Sequence, residues 1–217
     1  MPGKRVYDDG CAVAHALDLI GERWALLVVR ELLPGPRRFI DLQTSLRGIS
    51  PTVLTQRLTD LETVGVLRRE QLPPPASTRV YALTEWGREL EPVLQALGRW
   101  GARSPRRPAQ APITTATLLA ALKTMNAGAL RGVIGLNLGP EAYTVRLDGP
   151  HAEVTPGLDP AAALTLSGEV GALGAVIFGG QPLAAAEAAG TVRLQGDRAL
   201  AEAFVHAFPL PPLVEVS

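Results

Sequence analysis

The sequence predicts an α+β chain in two parts, and three observations carry that prediction. Apolar residues recur at helical spacing up to about residue 100. After it, short alternating segments are separated by Gly, Pro and Asp turns. Between the two lies "GARSPRRPAQAP", residues 101–112, which has neither period and mixes Pro, Gly and Arg as interdomain linkers do. The expected division is a helical domain at 1–100, a linker at 101–112 and a second, α+β domain at 113–217. Each part is long enough to bury a core of its own.

In the first part, the spacing predicts helices over Ala12–Ile20 and Arg23–Leu33, the latter ended by Pro34-Gly35-Pro36 because proline cannot continue a helix. Phe39–Leu46 is a short third helix, followed by the turn "RGIS". A fourth helix follows with Ser50 as N-cap and Pro51 at the first helical position, where its missing N–H costs nothing. After Gly65 the period changes to two. "VLRRE" and "TRVYALT" are strand-like and flank "QLPPPAS", a hairpin whose Pro-rich tip cannot join a sheet. A last helix is expected over Glu85–Trp100 with Thr84 as its cap. This order is that of a winged helix-turn-helix.

In the second part, "GVIGLNLG", "AYTVRLDG", "HAEVTPG", "AALTLS" and "TVRLQG" read as five strands, expected to be antiparallel. Helices are expected over Thr114–Met125, Gly168–Phe178 and Asp197–Phe208. Strands in a run with helices at its ends indicate the α+β class. The tail "PLPPLVEVS" carries no regular pattern.

Charge follows the same division. Residues 1–107 carry 16 Lys and Arg against 12 Asp and Glu, and residues 108–217 carry 5 against 9. A mildly basic first half points to a polyanion partner for that half. Of its 16 basic residues 15 are Arg, whose planar fork suits phosphate and guanine.

The fourth helix carries the chemistry. At 100° per residue, Leu54, Leu58, Leu61 and Gly65 lie on one side and Thr52, Gln56, Thr59 and Thr63 opposite. The outward row, extended by Ser50 and Thr55, offers hydroxyls and an amide that reach phosphate oxygens or base edges, and recognition helices use their N-terminal residues in this way. Arg57 lies at the margin. The competing reading is a face that merely tolerates solvent; the short helix, turn and hairpin around it favour DNA. Arg37 and Arg38 precede the motif's first helix, Arg47 lies in its turn, and Arg68, Arg69 and Arg79 flank the wing, each placed to meet phosphate, with Ser77 and Thr78 at the wing tip as secondary candidates. Asp41, Asp60 and Glu62 are expected to point away or pair with Arg.

"CAVAHALDLIGERWALLVVRELLPGPRRFIDLQTSLRGISPTVLTQRLTDLETVGVLRRE" followed by "RVYALTEWGRELEPVLQALGRWG" resembles the HxlR family of winged-helix transcription regulators over nearly all of residues 11–101. The resemblance implies a homodimer, held partly by the terminal helices of the domain, that sets two recognition helices into successive major grooves of an inverted repeat in double-stranded DNA. It also implies that Cys11 is a candidate redox or electrophile sensor, with Lys4, Arg5 and a helix start favouring thiolate and Asp8 and Asp9 opposing it; the alternative is a small core residue. Repression is the expected outcome.

Over roughly residues 114–208 the chain resembles, more distantly, the sterol carrier protein type 2 domain. That likeness implies an apolar cavity for a lipid-like effector, with Leu118, Leu122, Met125, Leu173, Val176, Ile177, Phe178, Phe204 and Phe208 as candidate lining; the alternative is that they fill the core. From another class, the alternative function is a lipid carrier whose winged helix mediates protein contacts.

Catalysis and cofactors are not expected. His15, His151 and His206 are scattered, one cysteine makes no thiolate cluster, and the glycine runs lack the Lys-Ser/Thr of a phosphate loop, so no metal site is expected either. With 47% hydrophobic and 19% charged residues, no apolar run of about 18 residues and no apolar leader at the N-terminus, the sequence reads as cytoplasmic, without membrane insertion.

Overall fold

The computed structural model describes residues 7–72, 77–108 and 111–215. Ten helices and seven strands are formed among them. The chain divides into two compact units, Met1–Leu94 and Gln95–Ser217. That boundary falls earlier than residue 100 and inside a helix, because Gly101 and Ala102 continue the helix that began at Glu91.

The first unit opens with helix α1, Ala12–Ile20, and α2, Ala25–Leu32. α2 begins two residues later than expected because Trp24 sits at φ 79°, outside the helical region. Helix α3, Phe39–Ser45, and helix α4, Pro51–Thr63, are joined through Leu46 and Ile49, both buried. Ser50 caps α4, its Oγ accepting the Val53 N–H at 3.2 Å. Val28, Val29, Leu42, Leu54 and Leu58 have no exposed surface and form the shared core of α2, α3 and α4. Gly65 is not on that core side: it is exposed at φ 77°, where the chain leaves the helix.

Strands β1, Leu67–Gln71, and β2, Arg79–Leu83, form an antiparallel pair, with Leu67 opposite Leu83. The chain after Pro36 adds a third piece: the Arg37 N–H donates to the Tyr81 carbonyl at 3.0 Å and the Tyr81 N–H to the Arg37 carbonyl at 2.8 Å. The tip of the expected hairpin, residues 73–76, lies outside the described residues. The single helix expected from Glu85 to Trp100 is two, α5, Glu85–Arg88, and α6, Glu91–Ala102. Pro92 is the reason, since its ring has no N–H to donate and crowds the carbonyl four residues back.

The second unit is a five-stranded sheet in the order β5-β4-β3-β6-β7, with β3 Arg131–Leu138, β4 Glu141–Asp148, β5 His151–Pro156, β6 Leu164–Gly168 and β7 Val192–Gly196. All neighbours are antiparallel except β3 and β6, which run parallel. The seven residues after β5 make this geometry available. Fully extended they reach about 25 Å. Leu164 stands level with Val154, two residues back along β5, so reaching it across three inter-strand spacings needs roughly 16 Å. This crossover is fastened to the sheet at Thr144, whose Oγ1 donates to the Gly157 carbonyl and accepts the Asp159 N–H, both at 2.8 Å. Asp159 also pairs with Arg146 on the same face.

The other face carries Ile134, Leu136, Val145, Leu164 and Leu166, buried with residues of helices α7, Thr115–Met125, α8, Val170–Phe178, and α10, Arg198–Val205. A further short helix, α9, Leu183–Ala188, was not expected from sequence; its alanine run has no apolar stripe to mark it. No helix among the described residues is long and apolar enough to cross a membrane.

Candidate nucleic-acid interface

Helix α4 separates its residues as an amphipathic helix should. Leu54, Leu58 and Leu61 are at most 1% exposed, whereas Thr52, Thr55, Gln56, Thr59 and Thr63 are exposed. The burial of three leucines fixes the helix's rotation, so the hydroxyl-and-amide ridge faces solvent by necessity. Several of its groups are already oriented. Thr55 Oγ1 donates to the Pro51 carbonyl at 2.9 Å and Thr63 Oγ1 to the Thr59 carbonyl at 2.8 Å, each keeping its oxygen lone pairs for an outside donor. Gln56 Nε2 donates to Asp60 Oδ1 at 2.7 Å, leaving one N–H and the amide oxygen to make the paired contact that an adenine edge accepts.

The arginines fall into two sets. Arg57 is not an open marginal contact: its side chain is 15% exposed, 2.9 Å from Asp60 and 3.8 Å from Glu22. The pairing has a geometric cause, because Asp60 one turn on is within reach of both Arg57 and Gln56. Arg38 Nε lies 2.9 Å from Asp41, Arg68 Nη2 2.6 Å from Glu70, and Arg69 Nε 2.9 Å from Glu62. Arg69 also lies over the Tyr81 ring. Asp41 and Glu62 thus pair with arginine, as Asp60 does. The hydrogen bond from Arg38 holds the Asp41 carboxyl below the ordinary carboxylate range. Arg37 is half-buried beside the wing. Arg47, in the turn before α4, and Arg79, at the start of β2, are exposed and have no acidic partner among the described residues.

Ser77 and Thr78 stand at the start of the return strand, Ser77 exposed with its carbonyl accepting Gln71 Nε2 at 2.6 Å. The structure thus gathers Arg47, Ser50, Thr52, Thr55, Gln56 and Thr59 on one helix and the turn before it. Sequence reasoning missed Glu22 as a partner of Arg57 and the hold of Asp60 on Gln56. The second was signalled by the i, i+4 spacing.

Cys11 is exposed at the N-cap of α1, not packed in the core. The backbone amides of Ala14 and then Val13 lower its thiol pKa. Lys4 and Arg5 lie outside the described residues.

In the second unit, the nine residues expected to line a cavity are packed together. Leu118, Leu122, Leu173 and Phe204 have no exposed surface, and Val176, Ile177 and Phe208 are buried with them. Met125 and Phe178 pack at the edge of the same core. Phe204 and Phe208 meet edge to face at 5.1 Å between centroids. These side chains belong to the apolar core that the sheet shares with its helices. A cleft of about 430 Å³ lies elsewhere, at the ends of β3 and β6, lined by Asn137, Ser167, Glu169 and Thr191 among others. None of the nine lines it.

The model of the HxlR-like helix-turn-helix family matches residues 19–108. The chain is 42% identical over 91 residues to the uncharacterized HTH-type transcriptional regulator sll1512 of Synechocystis, covering 42% of this chain and 67% of that protein. To the uncharacterized HTH-type transcriptional regulator YvaP of Bacillus subtilis it is 36% identical over 85 residues, covering 39% of this chain and 79% of that protein. The solved reduced form of the transcriptional regulator YodB from B. subtilis is similar at 31% identity and a TM-score of 0.40, covering 45% of this chain and 97% of that one. The family match ends before α7, so the sheet unit lies beyond it.

Proposed function

Because this chain belongs to the HxlR-like helix-turn-helix family, whose members are DNA-binding transcriptional regulators and not enzymes, we propose that it is a dimeric repressor reading an inverted repeat through α4. The observation that carries the reading is the exposed row of Thr52, Gln56, Thr59 and Thr63 over the buried Leu54, Leu58 and Leu61. Ser50, Thr55 and Gln56 at its N-terminal end contact base edges and backbone, Arg47 and Arg79 contact phosphate, and Arg37, Arg38, Arg57, Ser77 and Thr78 form the surrounding frame. Dimerisation is supported by apolar side chains left in solvent: Val13 and Leu17 on α1, and Val93, Leu97 and Trp100 at helical spacing on α6. Two copies related by a twofold axis read half-sites about 34–36 Å apart, and a dimer seated on a promoter denies it to polymerase.

The experiment is selection of bound fragments from genomic DNA, followed by titration of the enriched duplex with wild-type protein and the Gln56→Ala variant. Losing a bidentate base contact costs about 1–3 kcal/mol, so affinity for the enriched duplex falls by roughly 5- to 150-fold while affinity for random duplex is kept. Unchanged affinity and unchanged preference would remove α4 as the reading element.

The second unit is the candidate effector module, with an apolar small molecule as the ligand class that its resemblance implies. Its nine packed residues must part to admit one. Native mass spectrometry of the purified protein tests this: a bound lipid mass supports the effector, and its absence after incubation with fatty acid removes it without touching the reading of α4. Cys11, exposed and with its thiol pKa lowered, is the site at which an oxidant or electrophile would act on the first unit.

A further inference from the structure

The positive surplus that suits DNA does not reside in the winged helix. Residues 1–98 hold 12 Lys and Arg and 12 Asp and Glu, so the whole excess of the first 107 residues sits on Arg99, Arg103, Arg106 and Arg107. No Asp or Glu occurs between Glu91 and Glu141. All four arginines are exposed.

Their partners leave the charge uncancelled. Arg99 Nε donates to the Thr124 carbonyl at 2.9 Å and Arg103 Nε to the Pro212 carbonyl at 3.4 Å, both neutral acceptors. Arg106 and Arg107 stand on a turn held by Ser104, whose Oγ accepts the Arg106 N–H at 3.3 Å and whose carbonyl accepts the Arg107 N–H at 3.1 Å. Their guanidinium groups have no partner among the described residues. Pro105 and Pro108 bracket the pair, and proline on each side narrows the conformations that binding must freeze. Around α4 most of the arginines differ: Arg38, Arg57, Arg68 and Arg69 each face a carboxylate, while Arg47 and Arg79 have no acidic partner among the described residues. A guanidinium already neutralised by a carboxylate contributes little net charge towards phosphate, so the term that scales with neutralised phosphates must come chiefly from unpaired groups.

We propose that Arg99, Arg103, Arg106 and Arg107 form a second, sequence-independent contact to the phosphates of duplex DNA. It carries much of the salt-dependent affinity, while α4 carries the preference for sequence. The inference rests on the DNA-binding activity above and adds a surface outside the helix-turn-helix. Arg106 and Arg107 are its most open members.

The test is fluorescence anisotropy of a random-sequence duplex and of the enriched genomic duplex as sodium chloride is raised, using wild-type protein and the R106A/R107A, R106Q/R107Q and R106K/R107K variants. Each phosphate contact contributes about 0.9 to the slope of log affinity against log salt, so both neutral variants lose about 1.8. They weaken binding to the two duplexes by the same factor, roughly tenfold or more at low salt, and the lysine variant keeps the wild-type slope. Circular dichroism matching wild type assigns the loss to charge. Neutral variants with the wild-type slope on both duplexes overturn the proposal, as does weakening confined to the enriched duplex. Wild-type protein that binds neither duplex defeats the DNA-binding reading itself and this proposal with it. Gln56→Ala, by contrast, changes preference and leaves the slope in place, so the two readings fail separately.

Discussion

Helices α4 and α8 differ in what they do with their surfaces. α4 buries three leucines and leaves a row of hydroxyls and an amide in solvent. α8, "VGALGAVIF", is apolar almost throughout and gives Leu173, Val176 and Ile177 to the sheet unit's core. The first helix has side chains to spare for a partner; the second uses nearly all of its own for packing. A polar exposed face backed by a packed core advertises contact with another molecule, whereas a buried apolar helix reports mainly that a core exists. The apolar residues of the second unit therefore point first to a packed core.

The comparison can be broken most forcefully at the second unit's core. Phe204 has no exposed surface, and Phe204→Ala is expected to cost about 3–5 kcal/mol through lost burial and a residual cavity. Urea unfolding followed by circular dichroism should show the loss, while affinity for the enriched duplex at low denaturant stays near wild type. A variant that unfolds no earlier but binds a lipid more tightly would show that this core is a closed ligand site. In the first unit, a Cβ on Gly87 would meet the Val66 carbonyl oxygen at 2.0 Å, against rigid backbone. Gly87→Ala is therefore expected to destabilise the wing by about 3 kcal/mol and to reduce DNA affinity with it, read by the same unfolding and titration.

The smallest effect sharpens the electrostatic half of the comparison. Asp41 has its carboxyl pKa lowered in the folded chain, first by the hydrogen bond from Arg38. A lowered folded value means that its contribution is present above the unfolded value, about 3.9, and is lost as pH falls through the folded one. Asp41→Asn should thus be slightly less stable than wild type at neutral pH, with the difference closing below about pH 4. Denaturant midpoints measured across that range check it. A difference that grows with acid would mean that the pair does not stabilise the fold.

Periodicity and capping located α1, α3, α4 and every strand because those signals are local: Ser50 and Pro51 mark a helix start whatever surrounds them. The three leucines of α4 likewise made its outward row legible. Less legible were features set by neighbours distant in sequence. The second carboxylate near Arg57, Glu22 at 3.8 Å, lies 35 residues earlier in the chain. One local break was concealed as well: Pro92 splits α5 from α6 although the apolar spacing continues across it.

The sequence by itself determined most of the order of elements, the α+β class, the outward polar face of α4 and the place where charge accumulates, since these depend on residue spacing and side-chain type. Only the tertiary structure decided which arginines remain unpaired, that β6 joins the sheet parallel to β3, and that nine apolar side chains close on one another. The physical reason is distance: ion pairing and packing act over a few ångströms between residues that the chain order leaves far apart.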